Sequence, residues 1–324
     1  MASYLLKACR RSIVWGCVLL AAVSGPVVAA QDGEPTQEPL ILGDAAFRVT
    51  VLPGLEEWIP RRGPRFDTTA AVVSVEIEGE EFLCQGGLAD EFNPRFVPPP
   101  GYIEARLGDP FLKIGVGILL SRLEENYLFD NPYQVERLAP NTRILQEEAN
   151  EAAFSQSIDS GLGWAYAYTK TYVVDPAART LTIRYRLENT GTKPLLVEQY
   201  NHNWFRYDSD DGKAKVTATA PFLLNSEKVN AYPGWSQSGY TVTVSRQVPP
   251  SYFRLPQDIT PAENRVLVTD HLGGRSVLVT GDFQVRRYAA FADEESFCPE
   301  VFCLLEIEPG ETQSWSRTYI FMLE

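Results

Sequence analysis

Apolar and polar residues alternate with a period of two along much of this chain, the pattern of strands that bury one face. Ala70 to Glu78 reads Ala-Ala-Val-Val-Ser-Val-Glu-Ile-Glu, and Leu181 to Leu187 alternates without a break. Thr171 to Val174 runs into an Asp175-Pro176 turn, and Asn189-Thr190-Gly191 marks the next reversal. Further strands are predicted at Phe82 to Cys84, Ile114 to Leu120, Leu195 to Phe205, Lys215 to Ala220, Thr241 to Ser245, Arg265 to Val268, Ser276 to Thr280 and Gln284 to Phe291. A closing pair, Val301 to Ile307 and Gln313 to Phe321, is joined by Glu308-Pro309-Gly310-Glu311. Only Asn141 to Glu151 reads as mainly helical. Many strands without a repeat, joined by irregular links, predict an all-β fold of packed antiparallel sheets. No linker divides the chain, so residues 31–324 are predicted to form a single β-sandwich domain, with the loop-rich stretch Pro221 to Pro261 the place for an edge insertion.

The first thirty residues read differently. Lys7, Arg10 and Arg11 precede a mostly apolar run from Ile13 to Val28, and Val28-Ala29-Ala30 gives the small residues expected before a cleavage site. Ser24, Gly25 and Pro26 interrupt that run, which is short for a stable membrane span. Cys17 lies inside it beside Trp15, not at its end after small residues, so no lipid attachment is expected. Residues 1–30 are predicted to be a signal peptide, with the protein periplasmic or secreted.

Net charge is −13, and losing the leader removes three positive and no negative charges, giving −16. No basic stripe offsets this, so nucleic acid is not an expected partner. Anionic polymers are disfavoured too, unless arginines and lysines gather in a cleft. Cys84, Cys298 and Cys303 would remain in the mature chain; Cys298 and Cys303 either pair across a bend or stay buried thiols. Neither histidine is spaced from a cysteine as in a zinc site, and Asp208-Ser209-Asp210-Asp211-Gly212 is too short for an EF-hand loop and reads as a charged turn. Phosphate-loop, dinucleotide and nucleophile-elbow patterns are absent, and no metal or cofactor is expected.

The candidate chemistry gathers in Glu198-Gln199-Tyr200-Asn201-His202-Asn203-Trp204-Phe205-Arg206-Tyr207-Asp208. In a strand, Glu198, Tyr200, His202 and Trp204 share one face and Gln199, Asn201, Asn203 and Phe205 the other. An imidazole flanked by aromatic rings suits a sugar, whose C–H face stacks on rings while its hydroxyls meet polar groups. The alternative is a structural histidine at the end of a core strand. His271, before the Leu272-Gly273-Gly274 turn, reads as a turn residue.

Several passages, in order, resemble the galactose mutarotase-like (aldose 1-epimerase-like) superfamily, in particular its divergent secreted bacterial members. They are Gly63-Pro64-Arg65-Phe66-Asp67 with Val72 to Glu76, Gly86-Gly87-Leu88-Ala89-Asp90-Glu91-Phe92, Phe111 to Gly117, Glu198 to Phe205, Cys298-Pro299-Glu300-Val301-Phe302, and Glu308 to Glu311 with Trp315 and Tyr319. The resemblance implies a large twisted antiparallel β-sandwich with a sugar in an open cleft, and mutarotation as the activity. In that reaction a base removes the anomeric hydroxyl proton while an acid protonates the ring oxygen. His202 matches the family's acid and Glu300 its base, ahead of Glu306 and Glu308. The second cleft histidine of mutarotases has no counterpart, since no histidine precedes His202.

Arg65, Asp67, Tyr200, Asn201, Trp204, Arg286 and Tyr288 are the expected sugar contacts, with Arg286 suiting an acidic sugar. Lys113 either carries a buried stem or crosses into the cleft, and Tyr127, Phe129 and Tyr133 either wall the sugar or cap the sandwich. Mono-, oligo- or polysaccharide is the expected partner. Two other readings stay open on the same fold. One is a polysaccharide lyase acting on a uronic-acid-containing glycan, with Tyr200 or His202 as base. The other is a non-catalytic carbohydrate-binding protein using Tyr200, Asn201 and Trp204.

Overall fold

A computed structural model of the chain describes residues 38–122, 126–144, 150–222 and 229–324. The predicted leader lies outside the described residues. Two large sheets, antiparallel at every pairing, account for most of the rest. The first runs Leu40–Gly43, Phe47–Pro53, Ala70–Ile77, Leu83–Phe92, Leu195–Arg206, Ser296–Ile307, Val285–Ala292, Ser251–Ile259, with Glu80–Glu81 beside Ala70–Ile77. The second runs Trp235–Ser238, Thr241–Arg246, Lys213–Thr219, Arg265–Asp270, Arg275–Gly281, Thr312–Leu323, Thr180–Asn189, Ala165–Asp175, Glu151–Asp159, Asn141–Ile144. A hairpin and third strand, Pro110–Lys113, Gly117–Leu120 and Gln134–Leu138, form a small separate sheet. Among the described residues no helix is long and apolar enough to cross a membrane.

The period-two pattern sets which face is inside. In Thr180–Asn189, Leu181, Ile183, Tyr185 and Leu187 are buried between the sheets while Arg184 and Arg186 are exposed. Phe47 and Phe82 of the first-sheet side meet Phe321 of the second at centroid distances of 5.8 and 5.4 Å, and Phe92 meets Tyr168 edge-on at 5.3 Å. Burial of these rings is the main driving term for closing one sheet on the other.

Three expectations change. Asn141 to Glu151 is not helical where it is described: Asn141–Ile144 is a strand and Glu151 begins another. Ile114 to Leu120 is not one strand, because Lys113 closes one short strand and Gly117 opens the next. The strand predicted from Val301 begins at Ser296, so Glu300 lies within it instead of ahead of it.

A charged layer crosses the apolar core. Lys170, in the buried stripe of Ala165–Asp175, lies 2.7 Å from Asp67 Oδ2 and 2.9 Å from Asp90 Oδ2, and donates to the Ala70 carbonyl at 2.6 Å. All three side chains are buried. Burial alone would lower the lysine's pKa, but the charges of Asp67 and Asp90 hold it well above its ordinary value. The second oxygen of Asp90 accepts from Tyr185, Gln199 and Asn201 at 2.9, 2.6 and 3.0 Å. Asp67 is therefore an internal counter-ion to Lys170. It is buried and is not a sugar contact.

Candidate active site

Strand register builds the site from three neighbouring strands. In Leu195–Arg206, Tyr200, His202 and Trp204 face away from the second sheet, while Gln199, Asn201 and Asn203 face into it, as the alternation predicts. Tyr200 pairs across the ladder with Glu91 and Asn201 with Asp90. The adjacent acids Asp90 and Glu91 are thus sent to opposite faces, one into the charged core layer and the other beneath the cleft.

On the other side, Leu195–Arg206 pairs with Ser296–Ile307 from Leu195↔Ile307 to Gln199↔Cys303 and again at Phe205↔Phe297. Between these the ladder is interrupted, opposite Pro299, which has no N–H to offer. Substitutes fill the gap: the Asn203 backbone N–H donates to Cys298 Sγ at 3.0 Å, and its side-chain amide to the Pro299 carbonyl at 2.6 Å. His202 and Glu300 face each other across this interruption.

His202 lies between two carboxylates. Nε2 lies 3.1 Å from Glu91 Oε2 and Nδ1 lies 3.2 Å from Glu300 Oε1. Trp204 stacks on the imidazole at 4.6 Å and 9°, and Phe66 meets it edge-on at 5.2 Å. Trp204 itself rests on Gly86, where a Cβ would fall 2.6 Å from the indole; glycine is required for that contact.

Glu91 is the anchor. Its Oε2 also accepts from Arg65 Nε at 2.7 Å and from the Tyr200 hydroxyl at 2.6 Å. Burial would raise its pKa, yet the charge of Arg65, the His202 hydrogen bond and Lys113 together hold it down at about 2. Glu91 is therefore a fixed carboxylate. A fixed carboxylate at 3.1 Å requires a proton on Nε2, since two lone pairs would repel, and this outweighs the longer approach of Arg65 Nη2 to the same nitrogen at 3.4 Å. The other nitrogen, Nδ1, faces the Glu300 carboxylate at 3.2 Å. His202 and Glu300 thus place an imidazole nitrogen and a carboxylate oxygen side by side, the two group types that acid–base catalysis needs.

This dyad lines the floor of a cleft of about 380 Å³ together with Tyr200 and Phe302, and Phe129, Phe96 and Phe291 contribute apolar wall. Arg65, Arg95, Arg254 and Arg287 supply the polar rim. Of the expected contacts, Arg65, Tyr200, His202, Trp204 and Glu300 come together here. Asn201 does not: it is fully buried on the inter-sheet face, bonded to Asp90 and Tyr319. Tyr288 is buried in the inter-sheet core beside Phe222. Arg286, on the same side of its strand as Tyr288, is exposed and does not line the cleft; its neighbour Arg287 does. Acid and base also lie close together: His202 Nδ1 and Glu300 Oε1 are 3.2 Å apart, with no room for a ring between them.

Other candidates fall outside the cleft lining. Glu306 and Glu308 are exposed, and exposed His271 pairs with Thr217. Lys113 is buried beneath the sheet, bonded to the carbonyls of Phe92 and Asn93, with its pKa lowered to about 8 by burial. The Asn126 to Tyr133 loop divides: Phe129 walls the cleft, whereas Tyr127 and Tyr133 stack on each other in a separate core with Tyr102 and Phe111. Cys298 and Cys303 are free buried thiols. Sγ of Cys298 lies with His202 and Glu300 in a group whose ligand atoms fall within 4.8 Å, the one donor set here with metal-binding chemistry among the described residues. Burial and the neighbouring Glu300 keep that thiol well above its ordinary pKa, which disfavours the thiolate a metal needs.

The two-sheet architecture with an aromatic, charged cleft on one outer face is the galactose mutarotase-like fold. A protein from Synechocystis shares it at 16% identity with a TM-score of 0.56, covering 91% of this chain and 100% of that one. A galactose mutarotase-like protein from Lactobacillus casei does so at 10% identity and 0.56, covering 88% and 100%, and a putative aldose 1-epimerase from Escherichia coli at 12% and 0.53, covering 89% and 99%. No protein-family model matches the chain, and no curated protein does. Likeness at this level establishes the fold and leaves the chemistry to the residues.

Proposed function

We propose that this is an exported sugar-active protein that interconverts the anomers of an aldose by acid–base catalysis at the His202–Glu300 dyad. The observation that carries the reading is the imidazole set between Glu91 at 3.1 Å and Glu300 at 3.2 Å on the floor of an aromatic cleft. The structural likeness to proteins described as galactose mutarotase-like and aldose 1-epimerase supports it.

Contact between acid and base suits this reaction. The anomeric hydroxyl and the ring oxygen are bonded to the same carbon, so a base and an acid side by side can serve both. Glu300 as carboxylate takes the hydroxyl proton while His202 gives its Nδ1 proton to the ring oxygen. The C1–ring-oxygen bond breaks and an aldehyde forms. The dyad's proton count is unchanged, the proton having moved from nitrogen to carboxyl. Rotation about C1–C2 and the reverse transfers close the ring on the other face.

Arg65 beside Tyr200 and His202 gives the lyase reading its one supporting observation. Against it, Glu91 already neutralises Arg65, and burial beside Glu91 keeps the Tyr200 hydroxyl well above its ordinary pKa, a poor base. Anomer exchange followed by NMR or polarimetry, with ultraviolet absorbance monitored for an unsaturated uronate, separates the readings. Anomer exchange lost on Glu300→Gln supports the epimerase, and an unsaturated product selects the lyase.

Trp204→Ala removes both a cleft wall and the ring stacked on His202. An aromatic contact contributes about 1 kcal/mol beyond its buried area, so sugar affinity should fall several-fold to about tenfold by calorimetry. Unchanged binding would remove Trp204 from the sugar platform. For export, N-terminal analysis of the protein recovered from outside the cytoplasm should find a chain beginning near Gln31. Full-length protein confined to the cytoplasm would overturn that proposal.

A further inference from the structure

The cleft has the opposite charge to the chain. In a protein of net charge −13, four arginines line it against one carboxylate, Glu300. Two of the four are already matched: Arg65 by Glu91, and Arg287 by Glu198 at 2.8 Å. Arg95 and Arg254 are not. Among the described residues neither makes an ion pair, and both reach solvent. Arg254 instead lies 3.8 Å over the half-exposed ring of Phe96, whose centroid is also 4.7 Å from the Arg287 guanidinium. Arg287 spends one terminal nitrogen on Glu198, and its Nε has no hydrogen-bond partner among the described residues. Like charges held around one apolar ring repel unless an anion joins them.

We propose that Arg95, Arg254 and Arg287 form a subsite for an anionic group, a carboxylate or phosphate, carried by the sugar. Guanidinium forks bind such groups through paired, charge-assisted hydrogen bonds. The subsite is also placed to reach the same sugar that the dyad holds. Arg287 pairs across the ladder with Phe302, which is two residues beyond Glu300 on the same strand and face, or about 7 Å along it. That is comparable to the distance from a hexose's anomeric centre to a substituent at its far end. A neutral sugar would leave these guanidinium groups without a ligand. The inference rests on the sugar reading and names its substrate class.

The test is calorimetry with glucose, galactose, glucuronate, galacturonate and glucose 6-phosphate at low and high salt, on the wild-type protein and on the exposed-site double variant Arg95→Gln/Arg254→Gln. At least one anionic sugar should bind about tenfold or more tightly than its neutral parent, with the preference reduced by salt. The double variant should lose most of that preference. Preference for the uronates identifies carboxylate as the natural group, and preference for the 6-phosphate identifies phosphate. Equal affinity for anionic and neutral sugars, no binding of any anionic sugar, or an unchanged preference in the double variant overturns the subsite. Preference without anomer exchange keeps the subsite and removes the epimerase reading, whereas anomer exchange on neutral and anionic sugars alike does the reverse.

Discussion

Lys170→Met should cost about 3–5 kcal/mol of stability at neutral pH, the usual penalty for removing one partner of a buried ion pair. Methionine fills much of the lysine's volume, so the loss is electrostatic: Asp67 and Asp90 are left between the sheets without a cation. Against a total stability of about 5–15 kcal/mol this is a large fraction, and the melting temperature of a domain this size should fall by about 10 °C. The pH dependence fixes the cause. A buried carboxylate without its cation has a raised folded pKa, so the folded state is relatively favoured at low pH and loses stability as pH rises through that value. The deficit of the variant should therefore shrink toward acid pH. Adding Asp67→Asn should restore part of the loss at neutral pH, because Asp90 keeps its donors Tyr185, Gln199 and Asn201. Thermal and urea unfolding at two pH values reads both effects. Wild-type stability in Lys170→Met would show that the charged layer contributes nothing to holding the sheets together.

Local alternation was enough for most strands, because a half-buried strand writes its two faces directly into the sequence. Leu181 to Leu187 and Tyr200 to Trp204 show this, and the second correctly separates cleft side chains from inter-sheet ones. Errors arose where a residue's environment depends on a neighbouring strand. Asp67 and Asn201 look like sugar ligands by type, but their partners, Lys170 and Asp90, come from distant segments brought in by register. Arg286 shares the side of Tyr288, which faces the inter-sheet core, so alternation leaves Arg287 on the cleft side. Glu91 stands in one of the resembling passages, yet its residue type alone suggests no role. The signal was there: two adjacent acids in an otherwise apolar strand cannot both face solvent if both faces of the strand are covered. Lys170 gave a similar signal, a cation in the stripe Tyr166, Tyr168, Tyr172, which demands buried counter-ions. Arg254 and Tyr252 come from the loop-rich stretch whose strand pattern is weak, and only pairing with Val285–Ala292 carries them to the cleft.

Glu300→Gln should lower the rate of anomer exchange by about 10²-fold or more, the ordinary contribution of a positioned proton-transfer group. The amide keeps the shape and can still meet Nδ1, but it cannot take the hydroxyl proton. His202→Asn should cost a similar factor, and combining the two should cost little more than either, because base and acid act as one unit. Glu91→Gln tests a different role. Glu91 is under the cleft floor and touches His202, Arg65 and Tyr200 instead of the sugar, so it is a positioning residue. Glutamine keeps the shape but not the charge that orients the imidazole, so kcat should fall while KM changes little. A purely structural role would instead lower the amount of folded protein. Polarimetry over a range of sugar concentrations on the three variants, with circular dichroism to verify folding, distinguishes the cases. Wild-type turnover in Glu300→Gln would remove that carboxylate from the mechanism, and an unchanged kcat in Glu91→Gln would reduce Glu91 to a packing residue beneath the imidazole.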